Sequence, residues 1–288
     1  MISFSGVWVR LADVEAARSA FLRGAYALPF IALLLLVHGR PGTRRWWLPV
    51  AVLAGMLLGA DLVAWHASIG IIGVGLATVL TNLQVVFIGL AGVLLFRERP
   101  ALTFWVALPI VLVGVWLLSA AGQPIVVGGS VPLGILYGVF AGLTWAGALL
   151  VLRVGRSRQP RTSGLSMLWS LTVGATIVMG SAAAVEGVAA PAGWPADGWL
   201  LVLALGSQIL GWLLLTSSIH RLPAAATSVA LLLQPVLALV WGAVLLDEPI
   251  GLPQVTGAAI VLTGVAMAHR AVTGIQVRQT PGAPPTHP

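Results

Sequence analysis

The sequence predicts an all-α integral membrane protein of the ten-helix type, built from two inverted five-helix repeats with an incomplete first helix. Of its 288 residues, 59% are hydrophobic and only 8% are charged, and the mean hydropathy is +1.01. A soluble core of this size carries far more charge. The stretch 68–115 also recurs as 218–265: Gln84 matches Gln234, and Ile110–Val115 returns as Ile260–Val265 with one change. A constant offset over two helix lengths indicates duplication.

Apolar segments of membrane-spanning length define the helices. A hydrocarbon core of about 30 Å needs roughly 20 apolar residues at about 1.5 Å each. Besides an apolar piece at 1–11, we predict spans near 18–38, 46–67, 73–96, 101–121, 132–152, 164–185, 199–219, 223–246 and 251–269. The first piece is too short to cross the hydrocarbon, whereas its repeat mate, 132–153, is a full span. Either the chain begins inside its first helix, which we expect, or that helix is a genuine half-span.

Five segments per repeat determine how the two halves insert. The first repeat is predicted at 1–121, with helix 1 truncated, and the second at 132–269. Because five is odd, the second repeat enters the membrane upside down relative to the first. Residues 270–288 are rich in proline and polar residues and are predicted to form a disordered cytoplasmic tail.

The arginines set the predicted orientation. If the N-terminus is cytoplasmic, the inside turns hold Arg40, Arg44, Arg45, Arg97, Arg99, Arg153, Arg156, Arg158, Arg161, Arg221, Arg270 and Arg278, out of 15 basic residues. The outside is left with Arg10, Arg18 and Arg23. Cytoplasmic loops carry an excess of basic residues in membrane proteins. We therefore predict a multi-pass protein of the cytoplasmic membrane with both termini cytoplasmic.

Several classes of function are disfavoured by missing motifs. The sequence has no Cys, which excludes disulfides, thiolate metal sites and cysteine nucleophiles. It has no HExxH, GxSxG or P-loop motif, and Asp61 is the one acid well inside a predicted span. We therefore expect no enzyme, no metal and no cofactor. Nucleic acid is not an expected partner, because the arginines lie in short turns between apolar spans.

The two copies of the repeated segment resemble a known family. The stretch Gly75–Phe87, with the later Leu94–Pro100, is similar to the fourth helix and following turn of EamA-like transporters of the drug/metabolite transporter (DMT) superfamily. The same holds for Ala224–Pro235 with Leu245–Pro249. The resemblance covers almost the whole chain, twice over. It implies ten helices in two inverted repeats, in the cytoplasmic membrane, and a transporter that moves small metabolites, often outward.

Two glutamines at equivalent positions are the leading candidates for substrate binding. Gln84 lies 13 residues before Arg97, and Gln234 lies 12 residues after Leu222, which places both about 18–20 Å from the inner surface and near the bilayer midplane. Pro235 should distort the second helix and free a backbone carbonyl. An amide can donate and accept hydrogen bonds to a polar solute without fixed charge. Interhelical hydrogen bonding between the amides and their neighbours is the alternative interpretation.

Weaker candidates for substrate binding lie on the sixth and eighth segments. Thr144 and Trp145 are near mid-depth, where Trp145 could form a cavity wall, and Gln208 is a further polar candidate; packing is the alternative for each. Asn82 is two residues from Gln84 and is expected to face away from it, as an interhelical contact. A stripe of small residues should allow close helix approach on the sixth segment: Gly134, Gly138, Gly142 and Ala146.

Asp61 is the candidate for proton coupling or for recognition of a cationic group. It lies 15 residues after Trp46, about 22 Å across the predicted span 46–67, and so in its outer third. A charged aspartate in hydrocarbon costs about 2.5–3.5 kcal/mol, so it should face the bundle interior or a vestibule. The alternative is a carboxylate bonded to a neighbouring helix with no role in transport.

Glu98 and Glu248 are equivalent acids at the turns that follow the two repeated helices. Each has a proline close behind it, Pro100 and Pro249. Acids and prolines at a helix start are ordinary capping chemistry, so we predict helix caps that could also close a gate.

Three classes of function remain open from the sequence. A secondary transporter, exporting small metabolites such as amino acids or related compounds by alternating access, accounts for the inverted repeat and the mid-depth polar residues. The main alternative is a channel-like or structural membrane subunit without coupled transport, and an intramembrane enzyme is the least supported. The expected partners are a small-molecule substrate and the lipid bilayer, with a second copy of the chain, as a homodimer, a further candidate.

Overall fold

The described residues are almost entirely helical. The computed structural model describes residues 2–38, 47–97, 102–120, 130–158, 163–218, 231–247 and 250–278. Its helices are α1 (Ser5–Ala12), α2 (Ala16–His38), α3 (Leu48–Gly73), α4 (Leu76–Phe96), α5 (Leu102–Ala120), α6 (Val131–Arg158), α7 (Gly164–Val185), α8 (Ala196–Leu203, Ala204–Gly211 and Trp212–Ser218), α9 (Leu233–Leu246) and α10 (Leu252–Arg278). The prediction of an all-α, two-repeat membrane architecture is confirmed.

Most of these helices are long enough to cross a bilayer. Within the described ranges, α2, α3, α4, α6, α7 and α8 are suitable by length and composition. The other apolar helices, α5, α9 and α10, have shorter apolar stretches: Leu102–Leu118, Leu233–Leu246 and Leu252–Met267. Each predicted span coincides with a described helix, although the first part of the predicted span 223–246 lies outside the described residues.

The helix α3 is longer than the predicted span 46–67, and this changes the position of Asp61 along it. The helix does not end at residue 67 but continues to Gly73, where the backbone turns with φ 81° and ψ 160°. Residues 68–72 contain nothing that stops a helix, and a glycine adopts this positive φ at low cost. Asp61 is therefore 13 residues after Leu48 and 12 before Gly73, about 18–20 Å from either end. It is near the middle of this helix, whereas it is in the outer third of the predicted span 46–67.

The last helix also continues past its predicted end. α10 runs to Arg278, whereas the sequence predicts a disordered tail from Arg270. No proline occurs before Pro281 in this part of the chain, which is compatible with a helix to Arg278. The remainder of that predicted tail, 279–288, lies outside the described residues.

The two repeats share their buried cores. One buried cluster joins α2 and α3 to α6, α7 and α8, and includes Leu58, Leu149 and Leu171. A second joins α4 and α5 to α9 and α10, and includes Phe104 and Val261. Because both clusters contain side chains from both repeats, neither repeat buries its apolar surface alone, and the boundary between the repeats runs through the middle of the bundle.

The small-residue stripe on α6 holds this helix close to α4. A Cβ added at Gly142 would lie 2.8 Å from the carbonyl oxygen of Thr81 and 3.0 Å from that of Leu80, and one at Gly138 would lie 2.8 Å from the Leu80 side chain. Only a residue without a side chain permits this approach. The predicted structural role of the stripe is confirmed, and it fixes α6 beside the backbone of Gln84.

Candidate functional site

A polar cavity of about 280 Å³ lies between the two repeats. We call it the central cavity. Its lining comes from the start of the chain, from α3, α4 and α6, and from the beginning of α9: Ser3, Ser5, Gly6, Asp61, Leu62, Trp65, Thr78, Thr81, Asn82, Gln84, Trp145, Leu231, Gln234, Pro235 and Ala238. Its volume is at the lower end of the range for small-molecule sites.

Four of the predicted site residues meet in this cavity. Asp61, Gln84, Trp145 and Gln234 all line it. Gln84 lies eight residues after Leu76, the start of its 21-residue span, so it is in the central part of its helix like Asp61. The first two side chains come from the first repeat and the other two from the second. Folding therefore brings together polar groups that are far apart in sequence.

Three buried polar atoms of the cavity residues have no hydrogen-bond partner among the described residues. They are Oδ1 of Asp61, Oε1 of Gln84 and Nε1 of Trp145. Asp61 is 3% exposed and Gln84 is 7% exposed. A buried polar group left unpaired costs about 1–3 kcal/mol, and native proteins rarely leave several together. Such atoms in a cavity are suited to a solute, or to water that a solute displaces.

The helix around Gln84 is distorted by its own side chains. The hydroxyl of Thr81 donates to the carbonyl of Ala77 at 3.0 Å, and the Asn82 amide donates to the carbonyl of Thr78 at 2.8 Å. The regular helix is interrupted at Leu83. Side chains that bond the carbonyl four residues earlier tend to bend a helix. Asn82 consequently lines the central cavity beside Gln84, and the expectation that it faces away is wrong.

The equivalent helix of the second repeat is interrupted at a matching place. Leu232 separates Leu231 from α9, which starts at Leu233. Pro235 lacks an N–H and so cannot donate to the carbonyl of Leu231. Both of these residues line the cavity. The predicted proline distortion therefore lies at the site, next to Gln234.

Two predicted site residues do not line the central cavity. The Thr144 hydroxyl donates to the carbonyls of Phe140 and Ala141 in its own helix, at 2.9 and 3.0 Å. Gln208, 1% exposed, donates from Nε2 to the hydroxyl of Thr172 at 3.2 Å and so joins α8 to α7. The predicted gate or cap residues, Glu98 and Glu248, lie outside the described residues.

The arginine distribution predicts Arg23 on the outside, whereas the structure places its side chain among the helices. It lies in the first turns of α2, with its Nε buried and without a partner among the described residues. Its charge interacts with Asp61 and His66 on α3. The sequence held a signal for it: Arg23 falls inside the predicted span 18–38, and ionisable residues inside spans usually have a functional partner.

The start of the chain contributes to the site in a way the sequence analysis did not identify. Trp241 donates to the hydroxyl of Ser3 at 3.1 Å, and the Ser5 and Ser207 hydroxyls are 2.7 Å apart. The Phe4 ring stacks on Trp241 with centroids 4.2 Å apart. A signal was present here as well, because the order Ser, Phe, Ser, Gly at 3–6 is similar to Thr, Trp, Ala, Gly at 144–147.

The central cavity continues toward one end of the bundle. A second cavity, of about 340 Å³, shares four lining residues with it: Ser3, Gly6, Pro235 and Ala238. It reaches Arg10, Leu118 and Leu246, near the ends of α1, α5 and α9. The two cavities are adjacent and together extend from Asp61 toward these helix ends. We call the pair the α1–α9 path.

The opposite end of the bundle has a contact between the repeats. The guanidinium carbon of Arg153, near the end of α6, lies 4.5 Å from the centre of the Phe96 ring at the end of α4. An arginine above an aromatic ring is attracted by the electrons of the ring face, by about 0.5–1 kcal/mol at exposed sites and more when desolvated. We call this pair the α4–α6 contact.

Comparison with known proteins identifies the family. Residues 1–120 and 132–269 both match the model of the EamA-like transporter family. The chain belongs to the EamA-like transporter family. It is therefore a multi-pass membrane transporter, whose partners are a small-molecule substrate and the lipid bilayer. The two matched ranges agree closely with the repeats predicted from the sequence.

A solved structure supports the fold of this EamA-like transporter. A chain described only as "Crystal structure of protein" is similar with a TM-score of 0.74 and 16% sequence identity, over 93% of this chain and 96% of that one. At this identity the likeness concerns the fold alone. A search of curated proteins gave no significant match.

Proposed function

We propose that this protein is a secondary transporter that exports small metabolites, such as amino acids or related compounds, across the cytoplasmic membrane by alternating access. The observation that carries the proposal is the central cavity, which lies at mid-depth and is lined by polar side chains of both repeats. Transporters built from inverted repeats bind their substrates at this place. No comparable support exists for a homodimer.

The cavity residues divide the work of binding. Gln84 and Gln234 are amides from equivalent helices and supply donors and acceptors to the polar part of the solute. Trp145 forms a wall and offers its Nε1–H, which has no hydrogen-bond partner among the described residues. The interrupted helices at Leu83 and Leu232 let the backbone approach the solute, which is tolerated at this depth only where backbone lines a cavity.

Alternating access is supported by the different state of two equivalent helix pairs. In the repeat, α1 corresponds to α6 and α9 corresponds to α4, and Phe96 is equivalent to Leu246. Arg153 lies over Phe96 in the α4–α6 contact, whereas a cavity reaches Leu246 in the α1–α9 path, although Trp241 also contacts Ser3 and Phe4 there. We propose that the two pairs exchange these states during transport, so that Arg10 closes the path when Arg153 leaves Phe96.

Orientation follows from the distribution of arginines. With the arginine-rich turns in the cytoplasm, the α1–α9 path leads outside and the α4–α6 contact closes the inside. The structure then corresponds to the state that releases an exported solute. Both termini are cytoplasmic in this orientation.

Asp61 is the proposed coupling residue. A carboxylate at mid-depth in the cavity can hold either a proton or a cationic group, and it lies close enough to Arg23 for their charges to interact. If protons drive transport, Asp61→Asn should make the transport rate independent of an imposed pH gradient. The same dependence on the gradient in a well-folded Asp61→Asn protein would assign coupling to another group.

Counterflow in proteoliposomes tests the proposed function. Purified protein is reconstituted, loaded with one unlabelled metabolite at a time from a panel of amino acids and amines, and exposed to a trace of the labelled compound. We expect saturable, transient accumulation for at least one compound and none in protein-free liposomes. Flux that never saturates would instead indicate a channel, and absence of flux across the panel would count against a carrier of these compounds.

A further inference from the structure

The unpaired atoms of the central cavity carry information about the substrate. Two of them are acceptors, Oδ1 of Asp61 and Oε1 of Gln84, and one is a donor, Nε1 of Trp145. We infer that the substrate is an organic monocation: a protonated amine on a small apolar body, with one uncharged hydrogen-bond acceptor. The amine would donate to Asp61 and Gln84, and the acceptor would receive the Trp145 N–H. This inference rests on the proposed function and narrows its substrate class.

The charge of the lining favours a cation over a zwitterion. Asp61 is the one charged side chain among the described residues that line the central cavity. A substrate carboxylate would enter this cavity without a cationic partner, and burying an unpaired charge is strongly unfavourable. Arg23 partly offsets the charge of Asp61, but it does not line the cavity and so offers a substrate carboxylate no direct partner. An ammonium group, in contrast, meets the negative charge directly.

The shape of the cavity favours a small aromatic or aliphatic body. Trp65 is one helical turn from Asp61, and Trp145 faces the same space from α6. Tryptophan faces attract cations and pack on apolar groups. The volume of about 280 Å³ limits the body to a single ring or a short chain. An amino alcohol or amine of the size of phenylalaninol satisfies these conditions.

Three probes with one carbon skeleton test the inference on the purified full-length protein. Phenylalaninol carries a protonated amine and a hydroxyl, and 3-phenyl-1-propanol lacks the amine. Phenylalanine keeps the amine but has a carboxylate in place of the hydroxymethyl group. Calorimetric titration measures their Kd values. We expect phenylalaninol to bind about 10- to 100-fold more tightly than the other two, as is typical of a charged hydrogen bond. Equal or tighter binding of either of the others would overturn the inference.

Asp61→Asn identifies the group responsible. This substitution should raise the Kd of phenylalaninol by a similar factor and leave the Kd of 3-phenyl-1-propanol unchanged. Asp13→Asn is the matched control, because Asp13 is an exposed residue with a left-handed backbone at the end of α1, where asparagine is well tolerated. Unchanged phenylalaninol binding by a monodisperse Asp61→Asn protein would also overturn the inference. If that variant does not fold, the comparison of the three probes on the parent protein decides.

Counterflow separates failure of the inference from failure of the proposed function. Saturable counterflow of a neutral or acidic metabolite, with no binding of phenylalaninol, would support the proposed transporter function and refute the monocation as its substrate. Binding of phenylalaninol through Asp61, without counterflow of any compound, would support the monocation site and refute the proposed carrier function.

Discussion

Replacing Gln84 by alanine should weaken substrate binding, whereas Gln208→Ala should leave binding unchanged and destabilise the fold more. Both glutamines are almost completely buried, so the two substitutions remove the same atoms from similar surroundings. They differ in their partners. Among the described residues, Oε1 of both side chains lacks a hydrogen-bond partner. Gln84 lines the central cavity, whereas Gln208 does not line it and donates from Nε2 to Thr172.

The magnitudes follow from this difference. A hydrogen bond between neutral groups contributes about 0.5–1.5 kcal/mol, so loss of the bond from Gln84 to the solute should raise the apparent KM about 2- to 13-fold. Loss of the interhelical bond of Gln208 should cost about 0.6–1.7 kcal/mol beyond the packing that both variants lose. At roughly 2–4 °C per kcal/mol, its apparent unfolding midpoint should lie about 1–7 °C below that of Gln84→Ala.

Two measurements on the same preparations check this. Intrinsic tryptophan fluorescence during heating gives the unfolding midpoint, and initial rates in proteoliposomes, with the compound found by counterflow, give the KM. If Gln84→Ala transports like the parent while its midpoint falls as far as that of Gln208→Ala, the Gln84 amide serves interhelical packing and the reasoning from unpaired atoms is refuted.

Three further predictions follow from packing, orientation and closure. Gly142→Ala should lower the unfolding midpoint by about 2–12 °C, because overpacking costs about 1–3 kcal/mol. Gly147→Ala is the control and should leave the midpoint unchanged, because its Cβ would meet nothing closer than 3.5 Å among the described residues; equal midpoints would contradict the close approach of α6. An impermeant maleimide should label Ala189→Cys in intact cells but Ser163→Cys only after permeabilisation; the opposite pattern would reverse the orientation. Phe96→Ala should speed labelling, from the cytoplasmic side, of a cysteine placed in the central cavity, and unchanged labelling would show that this ring does not hold the inner ends together.

The predictions that held were those that depend on one helix at a time. Hydropathy alone places the spans, because each spanning segment must be apolar over its own length and must satisfy its own backbone hydrogen bonds. The repeat then assigns Gln84 and Gln234 to equivalent helices. The predicted position of Asp61 along its helix differs from the observed one for a local reason. The predicted span ends at residue 67, whereas the helix continues to Gly73.

The predictions that failed depend on contacts between helices. Asn82 was expected to face away from Gln84, as in a regular helix, but side-chain bonds to the backbone bend the helix and turn it into the cavity. Thr144 and Gln208 have the right depth and polarity, yet their hydrogen bonds are made away from the cavity. Depth in the membrane can be counted along the chain, whereas the direction of a side chain depends on helix rotation.

The sequence by itself determined the membrane-spanning class, the two repeats, the family and a pair of amides on equivalent helices. These properties follow from hydrophobicity and from the constant offset, both of which are linear in the chain. The tertiary structure decided which polar groups share a cavity. It joined Asp61 to Gln84, Trp145 and Gln234, and placed Arg23 near Asp61. These neighbours depend on how the helices rotate and pack against one another, which the order of residues along one helix does not fix.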